Sequence, residues 1–167
     1  MDKLLANIVQ RSPVALIVVA TLIHADDDCA FSRTGMLAKI EQIANQHTRT
    51  SIDTEKLRAT WILEDGSTEY YEVGGCDDYG KAAGRITQLA KKRNTEAAIR
   101  VAMELARNYL TSTDLKLVSD AIESDSVERE TNGTEDFLFV AHPIGEIVIS
   151  HTFSDGFDTV EISWPYL

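Results

Sequence analysis

A chain of 167 residues with 44% hydrophobic and 26% charged residues, three prolines and nine glycines has the composition of one packed domain, which excludes disordered, collagen-like and low-complexity classes. At this length folding buries roughly 68 to 70% of the surface of the unfolded chain, so neither disulfides nor a structural metal is required. An excess of 27 acidic over 16 basic residues, a formal charge of -11, opposes contact with phosphate backbones or anionic lipid unless charge is segregated.

Residues 2–10 read as a short helix with Leu4, Leu5, Ile8 and Val9 on one side, ended by Arg11-Ser12-Pro13. Ser12-Pro13 then suits a helix cap and first-turn proline, so residues 14–24 are read as a helix although their β-branched residues also fit a strand. The uncharged run 14–23 is half the length of a membrane-spanning helix. As a signal peptide it would place Ile23 where a small residue is wanted, so a buried element is preferred. After the Asp26-Asp27-Asp28 interruption, Met36, Leu37, Ile40, Ile43 and Ala44 recur at helical spacing.

Asp65-Gly66 predicts a two-residue turn joining strands 59–64 and 67–73, with Trp61 opposite Tyr70 and Leu63 opposite Thr68. Residues 79–93 and 95–110 read as two helices separated by Asn94, the second with Ala98, Val101, Ala102, Leu105 and Tyr109 on one stripe. Residues 113–127 read as another helix. Three apolar or alternating runs, 137–141, 146–153 and 157–164, predict a meander. Its Asp155-Gly156 turn pairs His151 with Val160 and Ile149 with Ile162. Because the elements do not alternate as βαβ units, the class is α+β: one domain, residues 1–167, of helices packed on an antiparallel sheet made of a central hairpin and a C-terminal three-stranded meander. Neither an internal repeat nor a linker is visible.

Charge is unevenly spread along the chain. Residues 81–110 hold seven basic and two acidic groups, whereas residues 111–167 hold two basic and twelve acidic groups. Asp120, Glu123, Asp125, Glu128, Glu130, Glu135 and Asp136 are the candidate partner-binding residues, read as an acidic helix row extended by a loop. Such a patch either solvates the protein or docks a basic surface, as immunity proteins and inhibitors do on nucleic-acid-handling enzymes. Trp164, Tyr166 and Leu167 would serve as apolar anchors.

Residues 13–73 resemble a winged helix in pattern: two helices, a third segment at 51–58 and a hairpin wing. The resemblance implies nucleic-acid contacts from Arg49, Thr50, Thr54, Lys56 and Arg58, against which Asp53 and Glu55 act. Lys81, Arg85, Lys91, Lys92, Arg93, Arg100 and Arg107 offer a second basic surface for phosphates.

Catalytic patterns are weaker. Residues 75–82 come close to a phosphate-binding loop, but Ala82 stands where a magnesium-holding hydroxyl is needed and Asp77 and Asp78 would repel phosphate. Cys76, His151 and Asp158 form a candidate thiol set for a hydrolase or acyltransferase, since the strand register puts Asp158 diagonal to His151. Asp77 and Asp78 disfavour a thiolate, and His151 shares its face with Ile147 and Ile149, as a core histidine would. The aspartate triplet lacks the glycine and closing glutamate of a calcium loop. His24 and His47 have no neighbouring ligands and are read as structural. The two cysteines, Cys29 and Cys76, are too few for a disulfide framework and lack zinc-ligand spacing. The sequence therefore reads as a cytoplasmic, non-enzymatic binding module with no cofactor, metal or membrane partner.

Overall fold

The computed structural model describes residues 32–74, 80–88 and 93–165. The segments read as helices over residues 2–10 and 14–24, the aspartate triplet, His24, Cys29, Cys76, Lys91, Lys92, Tyr166 and Leu167 lie outside them. Among the described residues three helices, α1 (Arg33–Ala44), α2 (Thr95–Tyr109) and α3 (Ser112–Glu123), form where the apolar residues recur on one face. Asn94 Oδ1 accepts a hydrogen bond from the Ala97 amide at 3.0 Å, and Thr111 Oγ1 one from the Asp114 amide at 3.2 Å. These caps satisfy amides that the first turn leaves without partners.

The eight strands among the described residues are β1 (Thr50–Asp53), β2 (Arg58–Ile62), β3 (Thr68–Val73), β4 (Gly80–Gln88), β5 (Glu128–Asn132), β6 (Glu135–His142), β7 (Gly145–Ser154) and β8 (Phe157–Pro165). They form one antiparallel sheet in the order β1-β2-β3-β4-β8-β7-β6-β5. Each half of the chain thus supplies helix followed by a four-stranded meander, and the last strands of the two halves, β4 and β8, pair at the centre. The described helices pack on one face: α1 over β1 to β3, α2 over β4, β8 and β7, and α3 over β6.

Two neighbouring rows of residues cross this helix-facing side. One, Ala59, Tyr71, Ala83, Ile162, Ile149 and Leu138, is buried in the core. The next, Trp61, Glu69, Arg85, Val160, His151 and Asp136, carries much of the buried ionisable chemistry.

The α+β architecture and the C-terminal meander agree with the sequence reading, including His151 opposite Val160 and Ile149 opposite Ile162. Four local readings need correction. Residues 80–88, expected as part of a helix, are the central strand β4, in which Ala83 is fully buried and Gly84 lies under the Tyr70 ring. Alanine and lysine favoured a helix locally, but small side chains are what a strand packed between β3 and β8 under an aromatic ring requires.

Second, Trp61 faces Glu69 and not Tyr70. The loop has three residues, closed by Leu63 N to Ser67 O at 2.9 Å, with only Gly66 at positive φ. Asp65 Oδ1 accepts from the Ser67 amide and hydroxyl, which selects a type I turn with a glycine bulge. At Asp155-Gly156, where both residues have positive φ, the expected two-residue turn forms.

Third, residues 51–58 are not a helix. They are strand β1, a turn in which Asp53 Oδ1 accepts from the Glu55 and Lys56 amides, and the start of β2, so the winged-helix pattern fails at its recognition segment. Finally, the helix expected to reach residue 127 stops at Glu123, and the expected acidic loop is mostly strand β5. Asp125, at φ 52, turns the chain back.

A Cβ at Gly84 would overlap the Tyr70 ring, whose edge is held by a hydrogen bond from its hydroxyl to Glu161 and by the Arg58 guanidinium 4.4 Å from its centroid. Gly84→Ala should therefore destabilise the fold by about 1 to 3 kcal/mol, the usual cost of overpacking. Chemical denaturation of the single variant and of Gly84→Ala/Tyr70→Leu checks this, the second being expected to recover most of the loss.

Candidate functional site

The polar row divides into two clusters. In the first, Glu69, 2% exposed, accepts from Arg85 Nε and Nη2 at 3.1 and 2.9 Å, and from the Tyr109 hydroxyl at 2.6 Å. Arg85 Nη1 continues to Glu104 at 2.7 Å. Burial works against the arginine charge, but the hydrogen bonds to Glu104 and Glu69 outweigh it and raise its pKa. Burial, reinforced by Glu69, pushes the Tyr109 pKa up. This cluster ties α2 to the sheet.

The second cluster surrounds His151, 3% exposed on the same row. Its Nε2 lies 2.6 Å from Asp158 Oδ1, so the His-Asp contact expected from strand register is present. On the other side, Nδ1 is 3.9 Å from Asp136 Oδ2 and has no hydrogen-bond partner. Asp136 is held by Thr131 Oγ1 at 2.9 Å and by Arg93 Nη2 in ion-pair contact at 2.6 Å. A cavity of about 180 Å³ opens beside this group, between the first turns of α2 and strands β5 to β7. Ala98, Ile99, Leu138 and Ile149 give it apolar walls, and His151 and Asp136 a polar end.

Cys76 lies outside the described residues, so of the thiol set the structure describes the His151–Asp158 contact alone. The other two described histidines are structural in their contacts: His47 stacks on Trp61 at 4.1 Å between ring centroids, and His142 Nε2 lies 3.2 Å from Asp114, itself bonded to Thr111. Among the described residues, no three His, Cys, Asp or Glu side chains are placed to hold a metal ion, and no helix is long and apolar enough to cross a membrane.

The acidic partner-binding candidates do not form one row. Asp120 is paired with Lys116 on α3, Asp125 with Arg129, and Asp136 with Arg93 on the helix-facing side of the sheet. Glu128, Glu130 and Glu135 are together on the opposite side: Glu128 is opposite Phe139, Glu130 opposite Phe137 and Glu135 opposite Asn132. None of these three is in an ion pair among the described residues, and β5 is exposed along its whole length. Glu123, near Lys116, is exposed at the end of α3. The two phenylalanine rings stack at 6.2 Å, forming an apolar patch beside the carboxylates.

The basic candidates are largely engaged within the protein: Arg58 with Glu72, Arg85 with Glu69 and Glu104, Arg93 with Asp136, and Arg100 with Glu96. Sequence reasoning missed Glu69, the pairing of Arg93 with Asp136 and the inward position of Asp136. The alternation of β3 and β6 carried the signal, since each acid falls on the buried phase of its strand. Comparison with models of protein families, with curated proteins and with solved structures finds no match.

Tyr109 and Tyr70 both have pKa values raised by burial and by a neighbouring carboxylate above the ordinary 10.0. Their contribution to stability is complete below pH 10.0 and is lost as pH rises above it, because only the unfolded chain then releases the phenolic protons. Absorbance titration of tyrosinate should show these two of the five tyrosines ionising only with unfolding, and Tyr109→Phe should shallow the alkaline loss of stability.

Proposed function

We propose that the protein is a non-enzymatic acidic binding module that docks a basic protein, of the inhibitor or immunity type acting on a nucleic-acid-handling partner. The observation that carries this reading is the side of β5 and β6 turned away from the described helices, where Glu128, Glu130 and Glu135 lie next to Phe137 and Phe139 with no ion pair among the described residues. Carboxylates at a rim steer a basic partner and make association salt-sensitive, while adjacent aromatic rings supply contact area and accept arginine or lysine over their faces.

Direct binding to nucleic acid has less behind it. The net charge is -11, and Arg85, Arg93 and Arg100 are spent on the protein's own carboxylates. The segment expected to read bases is a strand and turn.

The test is affinity capture from the native host at about 50 mM and about 500 mM salt, a range over which exposed charge pairs are progressively screened. Basic proteins should be retained at the lower concentration and released at the higher. Glu128→Lys/Glu130→Lys, with both sites exposed, should fold normally and slow association with any captured partner by about tenfold or more. Failure to retain a basic protein, or equal retention by the variant, overturns the reading. A mobility shift of duplex DNA at low salt transfers the assignment to nucleic acid.

A further inference from the structure

The cavity beside His151 lies between α2 and strands β5 to β7, sharing Glu130 and Phe137 with the acidic border, and its polar end is incomplete. A carboxylate only accepts hydrogen bonds, so the hydrogen in the His151-Asp158 contact sits on Nε2. Nδ1 is then the ring atom left over: it is buried, has no hydrogen-bond partner among the described residues, and belongs to a side chain lining the cavity. An unmet buried polar atom is costly, which makes this position one that a polar group of a ligand would complete.

The remaining walls set the ligand's body. Ala98, Ile99, Leu138 and Ile149 offer hydrocarbon, with Thr95, Arg129, Glu130 and Thr131 also on the lining, and the volume of about 180 Å³ compares with the roughly 150 Å³ apolar cavity that accommodates benzene. Charge sets the head group. Asp136, Asp158 and Glu130 outnumber Arg93, which pairs with Asp136, and Arg129, which pairs with Asp125, so an anionic head would meet a net negative surround, whereas an uncharged hydroxyl can bond Nδ1.

We infer that this cavity is a binding site for a small, uncharged, single-ring molecule bearing one hydroxyl, which hydrogen-bonds His151 Nδ1 while its ring lies against Ala98, Ile99, Leu138 and Ile149. The hydroxyl, able to donate or accept, supplies the missing partner of the imidazole, and the ring covers the hydrocarbon part of the lining. No chemical step is involved, and the site stands whether or not the acidic border docks a protein.

Phenol, benzene and benzoate titrated into the full chain test this, read by NMR at the methyl groups of Ile99, Leu138 and Ile149 and at the His151 ring nitrogens. Phenol should give saturable shifts at those methyls and move the Nδ1 resonance. Benzene should bind about tenfold more weakly, the effect of one net hydrogen bond, and benzoate should not bind. Ala98→Leu should abolish phenol binding by filling the space. Ile99→Phe, at a half-buried position, serves the same purpose if Ala98→Leu does not fold. Absence of saturable shifts in the folded protein means the cavity holds water alone and overturns the proposal. Equal affinity for phenol and benzene, or phenol binding unaffected by a folded filling variant, overturns it as well.

Discussion

The buried carboxylate of Glu69 is the constraint around which the helical layer is arranged. It occupies a core position on β3, where an unpaired charge would cost several kcal/mol, roughly 3 to 5 by the usual effect of stripping a buried ion of its partner. Arg85 reaches it from the neighbouring strand and Tyr109 from the last turn of α2, so its needs are met only when β3, β4 and α2 are all in place. Tyr71 and Tyr109, with ring centroids 5.5 Å apart, add an apolar contact at the same junction. An apolar trio could fill this space with equal stability, but it would not demand one register between helix and sheet. The orientation of α2 in turn sets where Ala98 and Ile99 stand over β6 and β7, and hence the walls of the cavity by His151.

What the sequence made legible was governed by local rules. The Asp155-Gly156 turn and the alternation on either side determine the pairing of β7 with β8, and this pairing brings His151 to Asp158. The same dipeptide at Asp65-Gly66 misled by one residue because Ser67 captures the aspartate side chain, a competition that strand alternation does not display. β4 was illegible for a different reason. Its alanines, glycines and lysine have little strand preference of their own, and its conformation is imposed by two flanking strands and an aromatic ring from one of them.

Charge segregation along the chain proved only partly a segregation in space. Folding brings the basic segment that includes α2 into contact with acids far from it in sequence, Glu69 and Asp136 among them, and much of the linear asymmetry is consumed there. What persists is local: the carboxylates on the outward side of β5 and β6. A charged, fully exposed border strand also discourages pairing with other copies of the sheet, so these side chains have a protective role alongside any recognition role.

The junction of β4 with β8 has a consequence for how the chain comes into being. Its paired residues, from Gly80 with Pro165 to Gln88 with Phe157, are separated by some seventy to eighty-five positions, so closing it incurs a large loop entropy and belongs to the late stages of folding. During synthesis the first meander is finished well before its mate emerges, and β4 is for that interval a naked border lacking the carboxylates that guard β5. The nascent half-protein is therefore at its most adhesive immediately before completion, and β8 acts as the closing stave that ends this exposure.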